Sequence, residues 1–230
     1  MPPRLVVYFS LGDPAVAPDL LDVYADEGVD VAECGWPARR PYLDGPDVAA
    51  SMARAVAPEA AWEAARAASV RTLLMAYAEP EGPPLDAVAG AWGLLAVAAP
   101  DDPRRLALEA AAQTAGACVC AFLPLPLTPA DVLAARGAGG YVMLQAAPGV
   151  TGPRPTLDPA NAGRLADLRA QGVSAPIVLG FGVSNGEQAR AAVALGADGV
   201  VVGSAALRAA LQGRAALAKL LRDLRRGLDG

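Results

Sequence analysis

The chain has 230 residues, of which 54% are apolar and 19% charged, with a formal net charge of −5 and no histidine. That balance excludes a disordered chain and argues against a nucleic-acid surface, while the length suits one large core and a single domain over residues 1–230. Without histidine, any proton transfer falls to carboxylates, Tyr, Lys, Cys or water.

The first apolar run, 5–9, follows a start too short for a signal peptide, and no later stretch reaches bilayer length, so a cytoplasmic chain without membrane contact is expected. Further runs lie at 29–33, 71–75, 94–98, 117–122, 140–144, 176–179 and 199–202. They are continuous rather than alternating, as in parallel strands covered on both faces. Amphipathic stretches fall between them, at 18–27, 47–57 with 59–68, 85–91, 103–114, 129–135, 159–170, 186–195 and 205–211. A last helix is predicted from Arg214 to about Arg226, its basic residues forming a solvated face. Asp102, Thr128 and Asp158 each stand before a proline, as a capping residue before the first helical turn. Gly28, Gly172 and Gly196 stand where helices stop in a left-handed conformation. Eight such units predict a closed (β/α)8 barrel. A doubly wound open sheet would need a Gly-x-Gly-x-x-Gly turn after the first strand, and Ser10-Leu11-Gly12-Asp13-Pro14 lacks that spacing. The three cysteines read as buried, reduced thiols, with Cys34 directed away from any pocket that Glu33 faces and Cys118 and Cys120 pointing the same way. No His/Cys cluster suggests a metal.

Two carboxylates carry the chemical signal. Glu33 ends an apolar run, where an unpaired acid is rarely buried without purpose. Asp44 lies in the Pro- and Gly-rich loop that follows, and Leu43-Asp44-Gly45-Pro46 is equally the composition of an ordinary turn. Asp13, before a proline, is turn chemistry or a supporting group. After the last two strands come Gly180-Phe181-Gly182-Val183-Ser184 and Gly203-Ser204. In a barrel these turns are neighbours, and their amides together with a helix N-terminus can cradle a phosphate. Neither turn contains Lys or Arg, so amides and dipoles are expected to hold it.

With these residues in place, the chain resembles the alpha subunit of tryptophan synthase, the indole-3-glycerol-phosphate lyase. The resemblance rests on Leu11-Gly12-Asp13-Pro14, Glu33-x-Gly35-x-Pro37, Asp44-Gly45-Pro46, Leu73-Leu74-Met75, Gly149-Val150-Thr151-Gly152, Gly180-Phe181-Gly182-Val183-Ser184 with Glu187-Gln188, and Gly196 through Ala205. It implies a (β/α)8 barrel in which Glu33 is the general acid/base that protonates the indole carbon and Asp44 holds the indole N–H. Gly180, Phe181, Gly182, Gly203 and Ser204 would grip the substrate phosphate. Tyr8, Phe9, Leu74, Met75 and Met143 are candidates for the indole slot or plain barrel filling. No cofactor is implied, pyridoxal phosphate belonging to the beta subunit; a beta-type subunit or a second copy is the implied partner.

The chain departs from the family pattern in several places. The first strand begins almost at the start, without the family's preceding helix. Pro37-Ala38-Arg39-Arg40-Pro41 replaces Pro-Phe-Ser-Asp-Pro. Met143 stands where the family has a tyrosine, Ala147 where it has a loop arginine, Ala98 where it has an aspartate, and Gln145-Ala146-Ala147-Pro148 replaces a more polar segment. A divergent lyase releasing indole for tryptophan biosynthesis or a specialised pathway is the leading expectation. The alternatives are a barrel lyase or aldolase acting on another phosphorylated substrate, with Arg39 and Arg40 reading an added acidic group, and a non-catalytic regulator of a beta-type partner.

Overall fold

The structure, a computed structural model, describes residues 2–17, 19–152 and 154–230. Among them, eight parallel strands close into a barrel in sequence order. They are β1 (Arg4–Ser10), β2 (Val31–Gly35), β3 (Arg71–Tyr77), β4 (Gly93–Val97), β5 (Cys118–Leu123), β6 (Val142–Gln145), β7 (Ile177–Gly180) and β8 (Gly199–Val202). The surrounding helices are α1 (Leu20–Asp26), α2 (Pro46–Arg54), α3 (Pro58–Arg66), α4 (Pro103–Thr114), α5 (Pro129–Arg136), α6 (Asn161–Ala170), α7 (Gly186–Ala194), α8 (Ser204–Leu211) and α9 (Arg214–Asp229). The (β/α)8 architecture expected from the run count is therefore the one that forms. No helix among the described residues is long and apolar enough to cross a membrane.

The register fixes which side chains fill the barrel. Tyr8 pairs with Glu33, Glu33 with Leu73, Phe122 with Met143 and Met143 with Val178. Partners in a parallel ladder share a face, so Tyr8, Glu33 and Leu73 form one inward layer. The adjacent row, Phe9, Cys34 and Leu74, faces the helices instead. Leu74 and Cys34 are fully buried there, and Phe9 packs edge-on against Tyr24 of α1.

Helix starts follow local capping chemistry. The Asp102 side chain accepts the N–H groups of Arg104 and Arg105, and Thr128 with Asp131 forms a reciprocal capping box. Asp158 behaves differently: it accepts the Ala160 N–H in a separate turn, and α6 begins later, at Asn161. The helix predicted at 85–91 shrinks to one 3-10 turn, Leu85–Val88, because Gly90 turns left-handed at φ +77°. The helix start predicted at Pro18 lies outside the described residues.

The basic face of α9 is more engaged than a solvated face would be. Arg214 pairs with Asp19 and Asp26, Arg222 with Glu27 and Arg225 with Asp30. Leu217, Leu221, Leu224 and Leu228 recur along one face of α9 and are buried. The helix thus closes the outer ring against α1, α7 and α8. Such exposed pairs contribute about 0–1 kcal/mol each, so the leucine stripe carries most of the docking.

Candidate active site

A cavity opens at the C-terminal ends of the strands, where barrel loops assemble active sites. It measures about 660 Å³, counted out to its open mouth. Glu33, Asp44, Tyr8, Met75, Met143, Gly180, Phe181, Gly182, Gly203 and Ser204 all line it. The two acids and both glycine turns therefore share one space. Glu33 on β2 and the turns after β7 and β8 stand on either side of β1, whose Tyr8 lies between them.

Glu33 sits third of the five residues of β2, inside the strand rather than at its end, and is 3% exposed. Burial pushes its carboxyl up to about 7; the Tyr141 hydrogen bond pulls against this and the nearby Asp44 charge adds to it. The Tyr141 hydroxyl donates to Glu33 Oε2 at 2.5 Å from one layer below Met143. Two residues after Glu33, Gly35 makes room for Tyr8: a Cβ there would lie 2.3 Å from the Tyr8 hydroxyl. That steric demand accounts for the glycine in Glu33-Cys34-Gly35.

Asp44 is held from two directions. The Tyr77 hydroxyl donates to Oδ2 at 2.7 Å and the Thr151 hydroxyl to Oδ1 at 3.3 Å. Burial raises its pKa as well, and these two donors oppose the rise. Thr151 also accepts the Gly45 N–H at 2.8 Å, and its own N–H donates to Leu43 at 2.9 Å. The loop after β2 is thereby stitched to the loop after β6. A Cβ on Gly45 would come within 2.0 Å of the Thr151 carbonyl oxygen, so only glycine permits the crossing.

The glycine turns are backbone structures. Phe181 adopts φ +70°, rare for a residue with a side chain, and Gly182 φ +127°. Phe181 stacks on Phe122 at 5.6 Å between centroids, which pins the strained turn against the barrel wall. Ser184 donates its N–H and hydroxyl to Gln188, fixing the start of α7. Among the described residues, no three His, Cys, Asp or Glu side chains gather as a metal centre requires.

Several expectations change. Leu74 does not reach the cavity: it points outward beside Cys34, and Leu73 and Met75 face inward instead. Phe9 also faces the helices. Asp13 stands apart from the cavity. Burial would raise its pKa, but hydrogen bonds from Arg54 and Ser51 outweigh that and hold it low. Arg39 pairs with Glu81 outside the cavity, and Arg40 does not line it either, so neither is placed to read a substrate there. Tyr77, Phe122 and Arg208 also line the cavity, and Tyr141 reaches Glu33 from beside it, without a motif in the sequence to mark them. The two tyrosines carry a legible signal: a phenol in an apolar run needs a polar partner, and Tyr77 finds Asp44 and Tyr141 finds Glu33. Gln145, on the divergent segment, proves structural. Its Oε1 accepts the Leu125 N–H at 2.8 Å and its Nε2 donates to the Gly149 carbonyl at 2.6 Å.

Residues 85–225 match the model of the tryptophan synthase alpha chain family. The chain belongs to the tryptophan synthase alpha chain family. It is 34% identical over 226 residues to the tryptophan synthase alpha chain of Natronomonas pharaonis, covering 88% of this chain and 80% of that one. Against the alpha chain of Synechococcus elongatus the identity is 34% over 245 residues, covering 98% and 91%. A solved structure of Mycobacterium tuberculosis tryptophan synthase superposes with a TM-score of 0.85 at 27% identity, spanning 100% of this chain and 93% of that one. Membership in this lyase family accompanies a cavity lined by two acids and by the glycine turns after β7 and β8.

Proposed function

We propose that this chain is a cytoplasmic carbon–carbon lyase that cleaves indole-3-glycerol phosphate, or a close analogue, to indole and glyceraldehyde 3-phosphate. The observation that carries the reading is a buried Glu33, poised at about pH 7, in one cavity with Asp44 and the two glycine turns. Protonated Glu33 delivers its proton to the indole carbon that bears the side chain, giving an indoleninium cation. The adjacent hydroxyl then loses its proton, its electron pair forms the aldehyde carbonyl, and the carbon–carbon bond breaks. The bond's electrons return to the ring and restore indole. The Glu33 carboxylate left by the first step is the base for that hydroxyl, so the proton count closes on one residue. Asp44, held by the Tyr77 and Thr151 hydroxyls that oppose the burial-driven rise of its pKa, faces the ring N–H and stabilises the cation. Amides of the glycine turns and the Ser204 hydroxyl at the N-terminus of α8 hold the phosphate.

Incubating the pure protein with indole-3-glycerol phosphate and following indole release tests the reading. Indole from wild type and none from E33Q is the expected result. Release only after addition of a beta-type subunit would place the chain as half of a two-subunit enzyme. No indole under either condition, with phosphate-ligand binding intact, would reject the lyase in favour of another phosphorylated substrate or a regulatory role.

A further inference from the structure

We infer that Arg208 is the cation that reads the substrate's phosphate, and that Asp47 holds it in reserve while the cradle is empty. The inference rests on the phosphate reading of the site proposed above. Among the described residues that line the cavity, Arg208 is the one cation, and it shares that space with Glu33 and Asp44. It lies four residues after Ser204 on α8, so the two share a helix face and their Cβ atoms stand roughly 5–6 Å apart. An arginine side chain spans that gap easily, which sets the guanidinium beside whatever the Ser204 end of the helix binds.

The charge balance calls for such a group. A phosphate monoester brings about −1.5 to −2 charges at neutral pH into a cavity that already carries two acids. Amides and one helix end supply only about half a positive charge. In this structure Arg208 Nη1 donates to Asp47 Oδ2 at 2.5 Å, both side chains being roughly one-third exposed. Asp47 lies in the first turn of α2, three residues after Asp44, so the pair ties the loop bearing the second acid to the helix that starts at the phosphate cradle. A phosphate in the cradle offers the guanidinium a stronger, bidentate acceptor than one carboxylate. Arg208 then shifts from Asp47 to the ligand, and Asp47 acts as a competitor that the ligand displaces.

The test is titration calorimetry with sn-glycerol 3-phosphate, on proteins checked for folding by thermal unfolding. R208Q should weaken binding by about 10-fold, the size of one lost charge-assisted hydrogen bond at a partly exposed site. R208K should recover part of it. D47N removes the competitor and should tighten binding, and that gain should vanish in the R208Q background. In turnover, R208Q should raise KM for the phosphorylated substrate and leave KM for unphosphorylated indoleglycerol unchanged. R208Q binding as tightly as wild type, or D47N binding more weakly, would overturn the assignment. If R208Q does not fold, D47N alone decides. Wild type that binds no glycerol 3-phosphate would sink the phosphate reading itself, a failure distinct from the other two.

Discussion

The two sides of the cavity are built differently. On the acid side, β2 and its loop present side chains whose properties are set by distant partners: Tyr141 on Glu33, Tyr77 and Thr151 on Asp44. On the opposite side, the turns after β7 and β8 present mostly main chain, shaped by glycines and by a strained Phe181. The first side is tuned by electrostatics, so an isosteric change there spares the fold but not the charge or proton it carries. The second is tuned by backbone shape. Chemistry should therefore fail first on one side and ligand affinity first on the other.

The largest effect separating them should come from E33Q. Loss of the proton donor should lower kcat by about 10²–10⁴-fold with the fold intact. The same variant should be more stable than wild type in alkaline buffer. The folded pKa of Glu33 is about 7, above its ordinary value, so between roughly pH 4.5 and 7 the folded state binds the extra proton. Wild-type stability from this group is present below that window and lost as pH rises through it, by about 3 kcal/mol. Urea unfolding of both proteins at pH 5 and pH 8 measures this; an equal gap at the two pH values would refute it.

On the other side, G182A places a side chain at φ +127° and 3.1 Å from Arg154 Cδ. The strain amounts to about 1–3 kcal/mol and should appear as a roughly 10-fold rise in KM with kcat less affected. A kcat loss without a KM change would erase the proposed division between the two sides.

A smaller and more specific effect belongs to Y141F. The Tyr141 hydroxyl opposes the burial-driven rise of Glu33, so its loss should move the Glu33 limb of the pH–rate profile further alkaline. A limb that stays in place would show that the phenol only packs. Smallest of all, T151A should cost about 1 kcal/mol, through the lost Gly45 and Asp44 bonds, and should speed proteolysis of the loop after β2.

The sequence made the barrel legible because its strands are continuous apolar runs and its helices carry explicit caps such as Asp102 and Thr128. It made both acids and both glycine turns legible for a related reason: charge and glycine are conspicuous against apolar strands. What it concealed was phase. Leu73-Leu74-Met75 has no polar residue to mark which members face inward, so the run alone does not separate outward Leu74 from inward Leu73 and Met75. Glu33 held the answer, since it pairs with Leu73 across the ladder. Arg208 was concealed for another reason. It lies one turn beyond the cradle motif, and only the helix geometry returns it to the cavity.

The Pro37–Pro41 stretch is anchored through its main chain: the N–H groups of Arg39 and Arg40 donate to the two carboxylate oxygens of Glu79 at 3.0 and 3.1 Å. Any non-proline residue offers the same two donors. Side chains at positions 39 and 40 can therefore change without loosening this stretch of main chain, which leads on to Asp44.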